Sequence, residues 1–370
     1  MKNKFWEYYP IKDEEIKDLW EQAIFIFDTN VLFNLYRYSD DTSKEFIQTI
    51  KKLNSRIWLP FQIVKEFHKN RFSVINTEKE IYDSYNKKLN IFYEEFANKN
   101  RNPFLSLGLN DAFRELKEKI NIEMEQKKID YENRICKDDI LENLTDIFNN
   151  LIGEDFTPDK INEIKKEGEI RYKNDIPPGY EDKKKQDSEK FGDLIIWYQI
   201  IEISVETKKP IIFITDDRKE DWWLINLGKT ISPRPELLKE FKSKTNQIIH
   251  FYKPFQFLKY SNSYLGNDIK KEIIQEVKDF YPNPSYSISG ETRLELVIKC
   301  LRSKTDLIHF SEIINNIGYQ SILKEIDLDT YQVILVLPNI PDLERRFKEK
   351  YLSMLDEYYL QLIDYKRIPS

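Results

Sequence analysis

The chain has 370 residues, of which 40% are hydrophobic and 33% are charged, and its formal net charge is -6. This composition excludes global disorder, because it supplies enough apolar surface for a core, and the length allows two domains. The acidic balance excludes a protein that holds nucleic acid through an overall basic field, so any such contact is local. The 2 cysteines and 3 histidines are scattered, which excludes a disulfide framework and a zinc site and leaves the chemistry to carboxylates.

The beginning of the chain turns acidic before any apolar run develops, so we expect no signal peptide. The longest apolar stretch, residues 194–205, is interrupted by polar residues and is shorter than the roughly 20 residues that a membrane span needs. Together with the low cysteine content, these features predict a cytoplasmic protein that does not contact a membrane.

Short apolar runs followed by helical spacing predict buried parallel strands in the first part of the chain. The predicted strands are residues 23–27, 56–59, 210–215 and 247–252. Because helices separate them, we expect an α/β fold in which a parallel sheet is flanked by helices. Asp28 follows the first predicted strand and Asp216 follows the third. Glu66 is expected about two turns into the helix that begins near Pro60.

Two segments interrupt this alternation of strands and helices. Residues 73–153 carry Lys and Glu at helical spacing, with a turn at Asn102-Pro103, which predicts a helical insert. Residues 172–186 contain Pro177-Pro178-Gly179, which cannot continue a helix or a central strand, so we expect a loop. A strongly apolar helix then begins at residues 191–193 and carries Asp193 in its first turn.

A polar segment at residues 258–266 predicts the end of the first domain. We therefore expect one domain at residues 1–265 and an accessory domain of unknown role at residues 266–370. The predicted accessory domain is a smaller α/β-like unit, with helices at residues 268–280, 292–301 and 341–364 and an apolar run at 331–337. A protein partner for this domain and an oligomeric state remain open.

Ligands of open parallel sheets bind in the crevice beyond the carboxyl ends of the strands. Asp28, Glu66, Asp193 and Asp216 are all expected at that edge. Carboxylates gathered in one cleft repel and raise each other's pKa, and a divalent cation removes this penalty. Oxygen ligands without His or Cys favour Mg²⁺ or Mn²⁺, ions that activate water and stabilise phosphoryl charge. The pattern therefore predicts phosphodiester hydrolysis.

Segments in a fixed order resemble the PIN-like nuclease family, in particular its bacterial branch with a long helical insert. They are FDTNVLFNLYRYS, LPFQIVKEFHKNR, PPGYEDKKK, FGDLIIWYQII and IIFITDDRKEDWW, at residues 27–39, 59–71, 177–185, 191–201 and 211–223. The resemblance covers roughly residues 20–258 and nothing in residues 266–370. It implies a PIN-like, Rossmann-like fold and Mg²⁺- or Mn²⁺-dependent cleavage, usually of RNA. Many bacterial relatives act as toxins or in phage defence, which suggests that setting by analogy.

Carried over by position, the resemblance assigns roles to further residues. It implies a metal-binding set of Asp28, Glu66, Asp193 and Asp216, with Asp221 as an outer acidic member. It also implies that Asn30 orients the first aspartate and that Thr215 is the hydroxyl preceding the last acid. Asp217 competes with Asp216 as the last ligand, because assigned strand ends vary by one or two residues.

Substrate contacts are expected beside the acids. Lys183, Lys184 and Lys185 either hold phosphates or form a solvated loop, and both readings stay open. His68 and Arg71, on the helix that carries Glu66, are further candidates for substrate contacts. Two other functions stay open: a catalytically silent nucleic-acid-binding or scaffold module, and a DNA-directed flap or single-strand nuclease. The sequence does not separate RNA from DNA as substrate.

Overall fold

The computed structural model of the chain describes residues 1–97, 105–185, 190–226, 229–280, 291–300, 307, 320–325, 330–338 and 360–368. Its contacts divide the chain into two compact units, Met1–Phe280 and Tyr281–Ser370. Within the described residues, no helix combines the length and the apolar character that crossing a membrane would require.

The first unit contains the parallel sheet and all the long helices of the described chain. Its strands are β1 (Ile24–Phe27), β2 (Ile211–Ile214), β3 (Trp223–Asn226), β4 (Lys229–Pro233) and β5 (Ile249–Tyr252). Its helices are α1 (Asp13–Gln22), α2 (Thr29–Asn34), α3 (Asp40–Lys51), α4 (Phe61–Ala97), α5 (Leu107–Cys136), α6 (Asp139–Phe148), α7 (Pro158–Lys173), α8 (Gly192–Thr207), α9 (Pro235–Thr245), α10 (Pro254–Tyr264) and α11 (Lys271–Asp279).

Strands β1, β2 and β5 form a parallel sheet in the order β1-β2-β5. The residues of β1 and β2 are buried and apolar, as strands covered on both faces require. Phe27 lies opposite Ile214, which lies opposite Tyr252, so the strands end level with each other. The residues that follow, among them Asp28 and Thr215, therefore share one edge of the sheet. The α/β fold predicted from the sequence is confirmed.

The predicted strand at residues 56–59 is wrong as a strand. Ile57 makes one parallel bridge to Phe25 of β1, and Leu59 makes one to Ile152. Pro60 has no N–H to extend the ladder, and α4 begins at the next residue, so the pairing stops after these bridges.

An aromatic cluster packs one face of the sheet against the surrounding helices. The ring centroid of Phe257 in α10 lies 5.2 Å from that of Phe27, 5.6 Å from that of Phe46 and 5.9 Å from that of Trp20. All four rings are buried. Replacing such a ring by Ala destabilises a core by about 3–5 kcal/mol, so Phe257 contributes substantially to the platform beneath the strand ends.

The predicted helical insert is formed by the outer part of α4 together with α5 and α6. Lys79 pairs with Glu132 at 2.5 Å, and Asp83 pairs with Lys128 at 2.8 Å. These pairs run in opposite sequence directions, so α4 and α5 pack as an antiparallel arm. The turn predicted at residues 102–103 lies outside the described residues.

The second unit contains β6 (Glu291–Cys300), β7 (Gln320–Glu325), β8 (Thr330–Pro338) and β9 (Leu360–Ile368), an antiparallel sheet in the order β7-β8-β6-β9. The helix predicted at residues 292–301 is wrong, because this segment is β6. Its sequence alternates with a period of two, and pairing on both sides satisfies its backbone. The helix predicted at residues 341–364 lies outside the described residues, except for 360–364, which belong to β9.

The two units divide after Phe280, whereas the sequence predicted a boundary after residue 265. The difference is α11, which packs against α3 and α10 of the first unit. Glu276 of α11 accepts hydrogen bonds from the Ser39 hydroxyl at 2.8 Å and from the Thr42 hydroxyl at 2.6 Å. These contacts at the start of α3 tie the helix to the first unit.

Candidate active site

Asp28 occupies the carboxyl end of β1. Its backbone N–H donates to the carbonyl of Ile214 in β2 at 2.9 Å, so Asp28 continues the ladder of the sheet. Its backbone is extended, and its Oδ1 accepts from the backbone N–H of Thr29 at 2.7 Å, which caps α2. A strand end and a helix start thus fix this carboxylate at the crevice.

Two neutral side chains orient the other oxygen of Asp28. Thr215 Oγ1 donates to Asp28 Oδ2 at 2.6 Å, and Asn30 Nδ2 donates to the same oxygen at 2.7 Å. Asn30 Oδ1 also accepts from the backbone N–H of Asp216 at 2.9 Å. The Thr215 hydroxyl accepts from the backbone N–H of Asp217 at 3.0 Å. Asn30 and Thr215 therefore connect the turn after β2 to Asp28.

Glu66 reaches the crevice from the second turn of α4. Its Oε1 accepts from Gln62 Nε2 at 2.8 Å, and its Oε2 accepts from Thr29 Oγ1 at 3.2 Å. A Cβ placed on Gly192 would lie 2.6 Å from Glu66 Oε1, so a larger residue there would displace the carboxylate. Because Gly192 begins α8, this close approach brings Glu66 next to the first turn of the helix that carries Asp193.

Asp193 is paired with the ammonium group of Lys219. Lys219 Nζ lies 3.1 Å from Asp193 Oδ2, 3.1 Å from Asp182 Oδ2 and 3.5 Å from Asp217 Oδ2. The Lys219 side chain is 19% exposed, so its charge is largely withdrawn from solvent. Trp222 also donates from Nε1 to Asp193 Oδ2, at 3.4 Å. One lysine therefore bridges three carboxylates.

The two acids that follow β2 have different surroundings. Asp216 Oδ2 accepts from Asn34 Nδ2 at 2.9 Å, and Asp216 Oδ1 lies 3.7 Å from the guanidinium of Arg218. Burial raises the pKa of Asp216, although Arg218 and Lys253 oppose the shift. Asp216, the acid that the sequence favoured as the last ligand, is therefore engaged on the α2 side of the crevice.

Asp217 lies on the side of the crevice that contains Lys219. It shares Lys219 with Asp193, and its charge is one of those that raise the pKa of Asp28. Its Oδ1 accepts from the backbone N–H of Lys219 at 2.7 Å, which folds the turn back on itself. The shared ion pair with Lys219 thus groups Asp217, rather than Asp216, with Asp193.

Asp221 is buried and anchors the loop that contains Pro177-Pro178-Gly179. Its Oδ2 accepts from the backbone N–H of Gly179 at 2.9 Å and from that of Glu181 at 3.2 Å. Gly179 has φ +90°, a conformation that favours glycine. Burial, with the charge of Asp193, raises the pKa of Asp221 to about 8. Asp221, which the resemblance implies as an outer acidic member of the metal site, thus anchors the loop through one oxygen.

The pKa values of the central acids shift in opposite directions. Burial raises the pKa of Asp28 to about 7, with the charges of Asp193 and Glu66 adding to the effect. Burial also raises the pKa of Glu66. Burial by itself would raise the pKa of Asp193 as well, but the charges of Lys219 and Lys185 outweigh burial and lower this pKa. Proximity to a cation therefore decides which carboxylate carries its charge most readily.

The loop lysines lie near the acids, and their contacts differ. Lys185 Nζ lies 2.9 Å from Asp182 Oδ2, which links it to the Lys219 bridge. Lys183 pairs with Asp175 at 3.0 Å on the surface, and Lys184 is exposed. The structure thus connects Lys185 to the acidic cluster, whereas Lys183 pairs with an acid at the surface.

The remaining predicted substrate contacts, His68 and Arg71, differ in their exposure to solvent. His68 is exposed and its ring contacts that of Phe67. Arg71 is buried, with 8% exposure, and forms an ion pair with Asp138. Asp138 also accepts from the Tyr36 hydroxyl at 2.9 Å. Arg71 therefore joins the arm to the sheet domain and does not reach the crevice.

Sequence reasoning missed Lys219, Asp182 and Lys253. Lys253 follows β5 at the same sheet edge, donates from Nζ to the Asp217 carbonyl, and lies 4.2 Å from the ring centroid of Trp223. Burial lowers the pKa of Lys253 to about 8. The strand-end rule that found Asp28 would also have found Lys253. Lys219 and Asp182 sit in charged runs whose sequence gives no sign of burial.

The donor chemistry of the crevice suits a hard divalent cation, because the acids offer only oxygen ligands. In the part of the chain that the structure describes, no group of three or more Asp, Glu, His or Cys side chains is arranged to hold a metal ion as it stands. Lys219 accounts for this on one side, since its ammonium lies among the carboxylates there. Asp221 Oδ1 is buried without a hydrogen-bond partner among the described residues, and Asp28 has only neutral donors. Carboxylate oxygens that have neutral donors or no donor fit a cation.

Comparison with known proteins gives one match. The family model described as a PIN-like domain matches residues 24–237, which is more than half of the chain. The matched range contains β1, β2, α4, α8 and the turn after β2, and hence all the acids of the crevice. No curated protein and no solved structure matches the chain.

Proposed function

We propose that this chain, which belongs to the PIN-like domain family, is a divalent-metal-dependent nuclease that hydrolyses phosphodiester bonds. PIN-like domains are generally nucleases, so family membership supports the reaction class. The observation that carries the proposal is the meeting of Asp28 and Glu66 at the carboxyl edge of the sheet, where Thr29 donates a hydrogen bond to each carboxylate. Two carboxylates held this close repel each other, and a divalent cation bound to both would remove the repulsion.

The proposed cation is Mg²⁺ or Mn²⁺, held through Asp28 and Glu66, with Asp193 and Asp217 as further carboxylates of the site. When bound, such an ion lowers the pKa of a water molecule and stabilises negative charge on a phosphoryl group. We assign Asp216 to the flank of the site because Asn34 and Arg218 engage it. Asp221 supports the site through the loop.

The protein's own residues then have distinct tasks. Thr215 and Asn30 hold Asp28 in one orientation through hydrogen bonds of 2.6 and 2.7 Å. Hydrolysis forms a bond between the water oxygen and phosphorus, breaks one ester P–O bond, and moves a proton from the water to the leaving oxygen.

RNA is the proposed substrate, because the family that the motifs resemble usually cleaves RNA. The proposed reaction uses water as the nucleophile and does not require the ribose 2′-hydroxyl, so it leaves DNA as the alternative. Lys183, Lys184 and Lys185 supply the local positive charge that an acidic protein needs to hold a phosphate backbone. We place this activity in the cytoplasm, and a toxin or phage-defence setting is the context that the resemblance suggests.

The experiment that tests the proposal is incubation of the full chain with labelled single-stranded RNA, structured RNA and single-stranded DNA. Each substrate is offered with Mn²⁺, with Mg²⁺ and with a chelator. We expect cleavage only with metal, and cleavage of RNA in preference to DNA. Asp28→Asn should remove it, because the variant keeps the side chain's size and loses the charge that binds the cation.

Asp159→Asn is the matched control, since Asp159 is an exposed acid in the first turn of α7. It should cleave like the parent protein. Equal cleavage by the parent and Asp28→Asn would overturn the metal-site proposal. An absence of cleavage on every substrate, combined with retained binding of nucleic acid, would replace the nuclease by a silent binding module.

A further inference from the structure

The acids of the crevice fall into two groups that differ in what neutralises them. The bridged group, Asp182, Asp193 and Asp217, surrounds Lys219 Nζ at 3.1, 3.1 and 3.5 Å. The open group is Asp28 and Glu66. Within the described residues, every hydrogen-bond donor recorded on the open group is neutral. The bridged group is therefore in direct contact with a largely buried ammonium, whereas the open group accepts hydrogen bonds only from neutral donors among the described residues.

The backbone holds Lys219 where it is. Its own N–H donates to Asp217 Oδ1 at 2.7 Å, and its carbonyl accepts from the backbone N–H groups of Trp222 at 3.3 Å and Trp223 at 3.2 Å. Both tryptophans are buried. The main chain at Lys219 is thus pinned by the turn that carries Asp217 and by buried aromatic residues, so the ammonium cannot leave the bridged group by moving with its backbone.

We propose that Lys219 takes the place of a second metal ion, so that this protein binds a single divalent cation, at the open group. This inference rests on the proposed function. Metal ions in two-metal phosphodiesterase sites stand about 3.5–4 Å apart and share carboxylates between them. An ion coordinated by the oxygens of Asp193 and Asp217 that face Lys219 would meet the ammonium at close range, and like charges repel there. Lys219 therefore neutralises the bridged group and excludes an ion from it.

Counting bound ions tests this inference without substrate. Mn²⁺ is titrated into the full chain, and the six-line electron paramagnetic resonance signal of free Mn²⁺ gives the number bound per chain. We expect one ion for the parent protein and one for Lys219→Arg, which keeps the charge. Lys219→Met should bind two, with a spectrum of two coupled ions. Lys239→Met, which alters an exposed lysine of α9, should behave like the parent.

The outcomes separate this inference from the proposed function. Two ions in the parent protein, or one ion of unchanged affinity in Lys219→Met, would overturn the role of Lys219 while leaving a metal-dependent nuclease in place. No binding to the parent would overturn both. If circular dichroism shows that Lys219→Met does not fold, the number of Mn²⁺ ions bound by the parent protein decides: one ion supports the inference, and two ions overturn it. Asp28→Asn should lower Mn²⁺ affinity at least tenfold, which locates the single ion at the open group.

Discussion

Asp28 and Asp193 lie in one crevice, yet their pKa values move in opposite directions. Burial raises the pKa of Asp28 to about 7, and the hydrogen bond from the neutral Thr215 hydroxyl opposes this rise only in part. Burial opposes ionisation of Asp193 as well, but Lys219 and Lys185 reverse the shift and lower its pKa. The difference shows that a neighbouring cation outweighs burial in this crevice. It also indicates that a divalent cation would bind most favourably beside Asp28, whose hydrogen-bond donors are neutral.

The largest effect is expected from removing the charge of the open group. Asp28→Asn should reduce cleavage by more than the roughly 10–100-fold that loss of an outer-shell partner causes, because a ligand itself is removed. The metal-free protein should be no less stable than the parent, since a buried charge and its repulsion are lost. Cleavage rate and metal-free melting temperature are the measurements. A fall in both together would point to a folding defect instead.

A smaller effect should distinguish the two acids after β2. Asp217→Asn removes a carboxylate that acts on Asp28 and shares Lys219, so we expect a loss of roughly 10–100-fold in cleavage. Asp216→Asn alters an acid held by Asn34 and Arg218, so we expect less than a fivefold loss, roughly that of a peripheral contact. Initial rates on one substrate compare them. The reverse order would move Asp216 into the centre of the site.

The opposite pKa shifts of Asp28 and Asp193 also predict how the stability of the folded protein depends on pH. An unfolded aspartate has a pKa of about 3.9, whereas the pKa of Asp28 in the folded protein is about 7. Between these values the folded state holds a proton that the unfolded state has lost, so Asp28 lowers stability as pH rises from about 4 to 7. Asp193 acts in the opposite direction, because the stability that it contributes is lost as pH falls through its lowered pKa.

The affinity for a divalent cation should also depend on the protonation of Asp28. Below about pH 7 a cation must displace the proton of Asp28, so the apparent affinity for Mn²⁺ should fall about tenfold per pH unit. Calorimetric titrations between pH 5.5 and 8 measure this slope. An affinity independent of pH would show that Asp28 is not a ligand, because no proton would then be released on binding.

The smallest effect is expected at the basic loop. Replacing Lys183, Lys184 and Lys185 together by Ala should weaken RNA binding a few-fold at low salt and flatten its salt dependence. Cleavage at saturating substrate should persist, because the acids are untouched. Binding measured at several salt concentrations gives the slope. If the triple variant keeps the slope of the parent, the lysines belong to a solvated loop.

The sequence located the strand ends well because four buried apolar residues in a row leave little choice of register. Asp28 could therefore be placed without a structure. The choice between Asp216 and Asp217 could not, since it depends on the turn after β2, where the Lys219 N–H folds back on Asp217. The burial of Lys219 was unpredictable for a related reason: its partner Asp182 lies on a distant loop.

Two other predictions were wrong for different reasons. Residues 292–301 were predicted as a helix, but they alternate with a period of two and are paired on both sides as β6. Arg71 looked like a basic surface residue beside Glu66, yet it is buried against Asp138. The partner of Arg71 lies far away in the sequence, so composition and spacing gave no warning of its burial, whereas the spacing of residues 292–301 itself indicated a strand.

The most direct test of the central claim, that the open group holds a divalent cation, is thermal unfolding with and without Mn²⁺. At about 100 times its dissociation constant, a ligand adds about 2.7 kcal/mol to the free energy of unfolding, which raises the melting temperature by several degrees. We expect this rise in the parent protein and in Asp159→Asn, and little or none in Asp28→Asn. An unchanged melting curve of the parent, or an equal rise in Asp28→Asn, would contradict the claim.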